Sequence, residues 1–367
     1  MKYPLIRPDV PEPKFWINQL NSAYEESHFS NGGRIWQEFN KKVVEKIRAS
    51  AAVGVANNTV GQVAALHAVE ISDQLVFISN FTFPATLQAV HMAGGIPVIC
   101  DTDDWSWEIS LDSVKSGIKM FGKPKAVVVT RVFGQRLNHA ELIDFLASEN
   151  IELIFDSAAA FPLAELNKNT ETLREVYSLH ATKAFGIGEG GIVTGPDRFI
   201  KSVWKHSNFG FTSPDEFSDG NNAKMDEFAA ARGIAALDKL PETSEKRKKF
   251  IKDTYSGIFE SSGYRHIDIN SDQLWSLFPV QFKQNEELSI FSNHLLQKEI
   301  LSKKYYSPSM SKGYKGNAKM LLTDDLRNSE NAANTVLCLP VYSTFTSEET
   351  EYIRESVKEA FEKVMDL

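Results

Sequence analysis

The sequence predicts an α/β protein with a mainly parallel sheet, followed by a smaller α+β domain. Short β-branched or apolar runs recur at intervals of about 25 residues. Stretches with the period of an α-helix fill most of the gaps between them. The alternation stops after about Ala236, where a polar segment from Lys239 to Lys249 carries Pro241.

The expected strands are Ala52–Ala56, Leu75–Ser79, Pro97–Asp101, Ala126–Thr130, Leu153–Asp156 and Ile192–Thr194. Between them, Gly61–Val69, Ala85–Met92, Leu111–Met120 and His139–Glu149 read as helices. Strand–helix alternation of this kind builds a parallel sheet covered by helices. Past the polar segment, where Pro241 is expected to break the chain, come a long helix, a strand at Phe278–Phe282 and a further helix. The last helix, Ser347–Met365, opens on Thr346 with Glu348 and Glu349 in its first turn, a hydroxyl cap with acids at the positive end of the dipole. Residues 1–240, including an N-terminal arm, are therefore expected to form a large domain and 241–367 a small one.

The composition sets bounds. The chain has 367 residues, 42% apolar and 24% charged, as in an ordinary globular protein. A net charge of −8 without a basic block argues against nucleic acid as a partner. Apolar runs are strand-sized, far below the roughly 20 residues of a membrane span. The opening residues lack the basic-then-apolar layout of a secretory signal, so a cytoplasmic location is expected. Two cysteines, Cys100 and Cys338, agree with a reducing compartment, and Cys100 reads as a buried filler at the end of an apolar run. No metal is called for.

In a parallel sheet, ligands collect at the carboxyl ends of the strands, so the residues just after each strand are the candidates. The first strand leads into Asn57-Asn58-Thr59-Val60-Gly61, either a plain helix cap or an anion site built from backbone N–H groups and a hydroxyl. The second ends in Phe81-Thr82-Phe83-Pro84, whose aromatics are core residues or a stacking surface for a planar ring. The fifth ends in Asp156, followed by Ser157 and three alanines, either a helix cap or a fixed anion facing a cationic ring nitrogen. Tyr177-Ser178 reads as part of a hydroxyl-rich turn before Lys183, and the glycines Gly186, Gly188, Gly190 and Gly191 follow. Small residues and glycines let a backbone fold closely around whatever that lysine holds. A solvated lysine is the plain alternative.

Ser178-Leu179-His180-Ala181-Thr182-Lys183, followed by Gly188-Glu189-Gly190-Gly191, resembles the lysine signature of the DegT/DnrJ/EryC1/StrS family of pyridoxal-phosphate (PLP) sugar aminotransferases. Other pieces follow in the family's order: Ser30-Asn31-Gly32-Gly33, Asn57–Leu66, Phe81–Thr86, Pro97–Asp101, Phe133-Gly134-Gln135 and Leu339-Pro340-Val341-Tyr342. The resemblance spans essentially the whole chain and implies the aspartate-aminotransferase fold, fold type I. It also implies a role for each candidate. Lys183 would carry PLP as a Schiff base and then shuttle a proton. Asp156 would pair with the ring nitrogen, and Phe83 would stack on the ring. The Asn58 backbone, Thr59 and Ser178 would hold the phosphate. Asn208 is either a loop asparagine or a contact to the partner subunit's phosphate. Two departures stand out: Asn58 where the family usually has glycine, and Ala159 where a glutamine or histidine commonly meets the cofactor's 3-hydroxyl.

The implied activity is transfer of an amino group, with L-glutamate as donor, to a nucleotide-linked keto-deoxysugar by a homodimer with shared active sites. A sugar dehydratase using pyridoxamine phosphate is the alternative among enzymes, though those relatives carry histidine in place of the lysine. A PLP-binding regulatory relative without turnover is the other alternative, with Ala159 as the feature favouring it.

Overall fold

The computed structural model describes residues 2–162, 173–260 and 263–366. Two short 3-10 helices (Pro13–Phe15 and Ile17–Leu20) and the α-helices α1 (Asn21–Glu25) and α2 (Arg34–Ile47) precede the first strand. The alternating part then runs β1 (Ala51–Val55), α3 (Asn58–Ala68), β2 (Leu75–Ser79), α4 (Pro84–Met92), β3 (Ile96–Cys100) and α5 (Leu111–Phe121). It continues through β4 (Ala126–Thr130), α6 (Ala140–Ser148), β5 (Glu152–Asp156), β6 (Glu175–Ser178), β7 (Gly191–Gly195) and α7 (Asp197–Ser207). A hairpin of β8 (Phe211–Ser213) and β9 (Glu216–Phe217) leads into the long helix α8 (Glu227–Tyr255). The remainder is β10 (Arg265–His266), β11 (Leu277–Gln281), α9 (Asn285–Gln297), α10 (Met310–Gly313), β12 (Leu321–Leu322), α11 (Arg327–Thr335), β13 (Val336–Pro340) and α12 (Ser347–Met365).

Eight strands form the main sheet in the order β1-β7-β6-β5-β4-β2-β3-β12. All neighbours are parallel except β7, which is antiparallel to both β1 and β6. Alternation along the buried strands sends successive side chains to opposite faces. Val76 and Ile78 of β2 join the core beneath α3, α4 and α7. Phe77 between them joins the core beneath α5 and α6. Farther along that second face, α2 and the first half of α8 cover Tyr177 and Ile192. The structure thus has the α/β architecture of PLP fold type I, with helices on both faces of a mostly parallel sheet.

A three-stranded antiparallel sheet, β10-β11-β13, forms a second core with α9, α12 and the end of α8. The N-terminal arm reaches this second region: Tyr3 is buried in its core and Arg7 pairs with Glu349 at 2.9 Å. The expected break at Pro241 is absent, because α8 runs through it without interruption. Proline costs the helix a hydrogen bond to the carbonyl four residues earlier. Packing outweighs that loss here: Leu240, Thr243 and Arg247 are all buried, and Arg247 donates to the carbonyls of Trp275 (3.0 Å) and Val341 (3.1 Å). Leu240 lies in the first core and Phe250 in the second, so one helix serves both.

Tyr177 and Ser178, expected in a turn, are instead the end of strand β6, which the sequence reading missed. Its polar residues face inward for a reason. Glu175 forms a buried ion pair with Arg131 at 2.7 Å and also takes the hydroxyl of Tyr177. A charge is tolerated in a core only when it is paired in this way.

The reversal of β7 positions the site. Register places Gly191 opposite both Val55 at the end of β1 and Ser178 at the end of β6. A Cβ on Gly191 would come within 2.7 Å of the Asn57 carbonyl carbon and 2.9 Å of the Asn58 nitrogen, both backbone atoms that cannot swing aside. Gly191→Ala is therefore expected to cost about 1–3 kcal/mol, the usual cost of overpacking. Thermal unfolding followed by circular dichroism checks this; an unchanged transition would contradict the close approach.

Candidate active site

The carboxyl ends of β1, β2, β4, β5 and β6 and the start of β7 share one edge of the sheet, as the pairs Thr130↔Asp156 and Ser178↔Gly191 require. Most of the sequence-predicted site residues lie along it.

Asp156 ends β5 with 3% of its surface exposed. Its side chain does not cap a helix; neutral donors from three elements surround it. Thr86 of α4 donates its hydroxyl to Oδ2 at 2.7 Å. Oδ1 accepts two longer contacts, from the Ala158 N–H (3.3 Å) and from the Asn58 amide nitrogen of α3 (3.5 Å). Behind Thr86, its hydroxyl and that of Thr82 lie 3.0 Å apart, and Thr82 lies 2.7 Å from Thr130 at the end of β4. Burial raises the pKa of Asp156, while Thr86 and the charge of Lys183 oppose that rise. The physical cause is loss of water around an anion.

Lys183 lies in the turn after β6, where its N–H donates to the His180 carbonyl at 2.9 Å. The turn is fixed from both sides. His180 bridges to Gly188, and Ala184 donates its N–H to the Ser276 hydroxyl at 2.9 Å, from the segment leading into β11. Burial lowers the pKa of the Lys183 ammonium and the Asp156 carboxylate raises it again. The two groups thus act on each other at the strand ends, Asp156 buried and Lys183 half-buried. A lysine with a lowered pKa holds a larger share of the neutral amine needed for nucleophilic attack.

The turn Asn57–Gly61 is a helix start, with the Asn57 side chain accepting the Val60 N–H at 3.1 Å. That cap leaves the N–H groups of Asn58 and Thr59 ahead of the first intrahelical bond, where a helix offers donors to an anion. Ser178, 9% exposed, stands across from this turn through Gly191, and its Oγ accepts the His180 N–H at 3.3 Å. Phe83 precedes α4 and is 54% exposed, so its ring stands in the open mouth of the site. Asn208 lies farther out, at the C-cap of α7, bridged to Asn222 beside the Ala223 carbonyl that takes the Ala56 N–H.

Three participants escaped the sequence reading. Thr86 lay in a quoted stretch but had no role assigned. Gln62 donates its amide to Asn58 Oδ1 at 2.8 Å; two amides four apart at an otherwise apolar helix start were a readable signal. Tyr306 comes from the far part of the chain, stacked on Phe133 at 6.0 Å and edge-on to Phe81 at 5.2 Å. Burial, with the Asp156 charge second, pushes the Tyr306 hydroxyl up so that it stays protonated. Ala159 sits in a tight turn: Gly134, with φ +87°, comes so close that a Cβ there would lie 2.4 Å from the Ala159 carbonyl oxygen. A cavity of about 860 Å³ lined by His67, His206 and Phe217 lies elsewhere, and neither Lys183 nor Asp156 lines it.

The residues present fit PLP: a buried anion for the ring nitrogen, an amine of lowered pKa for the aldehyde, and free backbone donors for the phosphate. Known proteins agree. The chain is 24% identical to dTDP-4-amino-4,6-dideoxy-D-glucose transaminase of Shigella dysenteriae, over 97% of this chain and 98% of that protein. It is 23% identical to 3-oxo-glucose-6-phosphate:glutamate aminotransferase of Bacillus subtilis strain 168, over 93% and 79% respectively. The solved structure of DesI in the presence of its TDP-sugar product superposes with a TM-score of 0.85 and 25% identity, covering 100% of this chain and 96% of that one. With a match to the family model over residues 12–358, the chain belongs to the DegT/DnrJ/EryC1/StrS aminotransferase family and is a PLP-dependent aminotransferase.

Proposed function

We propose that this enzyme moves an amino group from L-glutamate to the keto carbon of a nucleotide-linked deoxysugar. The observation that carries the proposal is the half-buried Lys183 within the field of the buried Asp156 carboxylate at the strand ends, beside an exposed ring and an open helix start. The names of the Shigella and Bacillus relatives and the sugar product of DesI support the substrate class, and the Bacillus name supports the donor.

PLP, when bound, supplies an electron sink that stabilises negative charge at the donor's Cα. In this reading each site residue has its own part. Asp156 would hold a proton on the ring nitrogen, since a buried anion favours the protonated partner. Lys183 would hold the aldehyde carbon through its Nζ and, once freed by the donor's amine, would use that nitrogen to accept a proton from the donor's Cα and pass it on. Phe83 would cover one face of the ring. The N–H groups of Asn58 and Thr59, the Thr59 hydroxyl and Ser178 would hold the phosphate. The exposed rings of Phe209 (45%), Phe211 (44%) and Phe217 (75%) next to Asn208 support a homodimer in which Asn208 reaches the partner's site, because clustered exposed aromatics mark interfaces.

Adding L-glutamate to the PLP-loaded protein is expected to bleach its yellow absorbance. A bound cofactor unchanged by any amino acid would favour the regulatory alternative. Asp156→Asn is expected to retain the fold and some cofactor while turnover falls on the order of a hundredfold, the scale of losing one preorganised electrostatic partner. Near-normal turnover would remove Asp156 from the mechanism.

The Lys183 pKa yields a prediction with a definite sign. The rate of PLP loading onto cofactor-free protein follows the neutral amine, so it rises with pH to a plateau. Burial places its midpoint below the 10.5 of an ordinary lysine. Asp156→Asn removes the anion that raises that pKa and moves the midpoint lower still. Stopped-flow absorbance measures both, and a midpoint at 10.5 or an upward move in the variant would contradict this reading. Light scattering is expected to give a dimer; a fully active monomer would overturn the shared-site arrangement.

A further inference from the structure

Asn58 stands at the first position of α3, where its backbone faces the phosphate end of the site, yet its side chain turns inward and is buried. The amide nitrogen lies 3.1 Å from the Val176 carbonyl and 3.5 Å from Asp156 Oδ1. Amide ends look alike by shape, but here the chemistry settles their orientation. A carbonyl and a carboxylate only accept, so the atom facing both must be the nitrogen. Asn58 Oδ1 is thereby directed at Gln62, one turn along, which must present its own nitrogen, at 2.8 Å.

This leaves Gln62 Oε1 without a partner among the described residues, in a side chain only 1% exposed. A buried acceptor without a donor is destabilising. An apolar side chain of similar size would avoid that cost beside Val63, Ala64 and Leu66. The benefit of the amide therefore lies in the direction it imposes on Asn58 and in its own support of the Asp156 anion.

Asp156 itself is unevenly supported. Oδ2 is held closely by Thr86 at 2.7 Å, while the two contacts to Oδ1 are longer, at 3.3 and 3.5 Å. Oδ1 thus keeps accepting capacity for a further donor. The other ionisable groups acting on the carboxylate are Lys183 and the Tyr306 hydroxyl.

We propose that Asn58 and Gln62 are positioning residues for Asp156: a pair of coupled amides that keeps the carboxylate ionised with Oδ1 directed at the cofactor's ring nitrogen. Asn58 then serves both ends of the cofactor, the phosphate through its backbone and the ring nitrogen through its side chain. The proposal rests on the reading of Asp156 given above. Neutral donors suit the task, since they stabilise the anion without cancelling the charge that the ring nitrogen needs.

The test uses Asn58→Leu and Gln62→Met, with Asp156→Asn as the reference. In the PLP-loaded protein, a ring nitrogen held less firmly protonated withdraws less charge, which raises the pH at which the Lys183 nitrogen loses its proton. The pH midpoint of the cofactor's absorbance is expected to rise in Asn58→Leu, in the same direction as in Asp156→Asn but by less. Turnover is expected to fall about tenfold, the equivalent of one hydrogen bond to a charged group. Binding of inorganic phosphate to the cofactor-free variant should stay within about twofold, because leucine keeps the backbone N–H. Gln62→Met is expected to shift the absorbance midpoint the same way by a smaller amount, with a melting temperature equal to or above that of the unaltered protein. A merely structural glutamine would do the reverse, lowering the melting temperature and leaving the midpoint in place. If Asp156→Asn shifts the midpoint and neither other variant does, the amide pair has no such role. If Asp156→Asn also leaves it in place, the pairing of Asp156 with the ring nitrogen fails first and the proposal falls with it.

Discussion

An anion withdrawn from water has to be rehydrated, in effect, by the protein around it, and Asp156 imposes that requirement on this fold. Its oxygens draw a hydroxyl from α4, an amide from α3 and a backbone N–H from its own turn. Thr86 is itself held, through Thr82 and Thr130, to the ends of β2 and β4. Several elements of the sheet edge therefore converge on one carboxylate. Lys183 complements it, since each charge offsets the other's loss of solvation. Such a pair contributes little to stability by itself, because desolvation consumes most of the attraction. Its value lies in the chemistry it prepares.

The second region of the chain does more than flank the sheet. Ser276 secures the N–H just after Lys183, and Tyr306 places a protonated hydroxyl within the field of Asp156. Asp101, at the end of β3, accepts the N–H groups of Asn328 (3.0 Å) and Ser329 (2.8 Å) at the start of α11. Helix α8 passes through both cores. The site is thus assembled from residues far apart in sequence, with the sheet edge as the common reference.

What could be read from the sequence depended on whether the information was local. Strands β2 and β4 were readable to the residue because both faces of each are covered, which leaves an uninterrupted apolar run. Strand β6 was not, because Glu175 and Tyr177 are polar residues answered by Arg131, a partner only the fold supplies. Pro241 misled for the related reason that tertiary packing overrode local preference. At the site, Asp156 and Lys183 were visible from their neighbours: small residues after a strand, and glycines after a lysine. Tyr306 carries no such local mark. The proposed dual use of Asn58 was hidden differently, since its position suggested only the backbone role that a glycine would also fill.

The setting of the Lys183 turn has a mechanical consequence. Backbone bonds to His180 on one side, the Ser276 hydroxyl on the other, and the close fit of Gly191 against the start of α3 leave the Lys183 Cα little freedom to travel. The side chain behaves like a jib on a fixed pivot. Its nitrogen can swing only through the arc that four methylene groups allow, so every position it serves during turnover must lie on that arc. With Lys183 in its proposed role, reach in this enzyme is set by the length of one side chain, and a substrate must bring its reacting carbon to that radius.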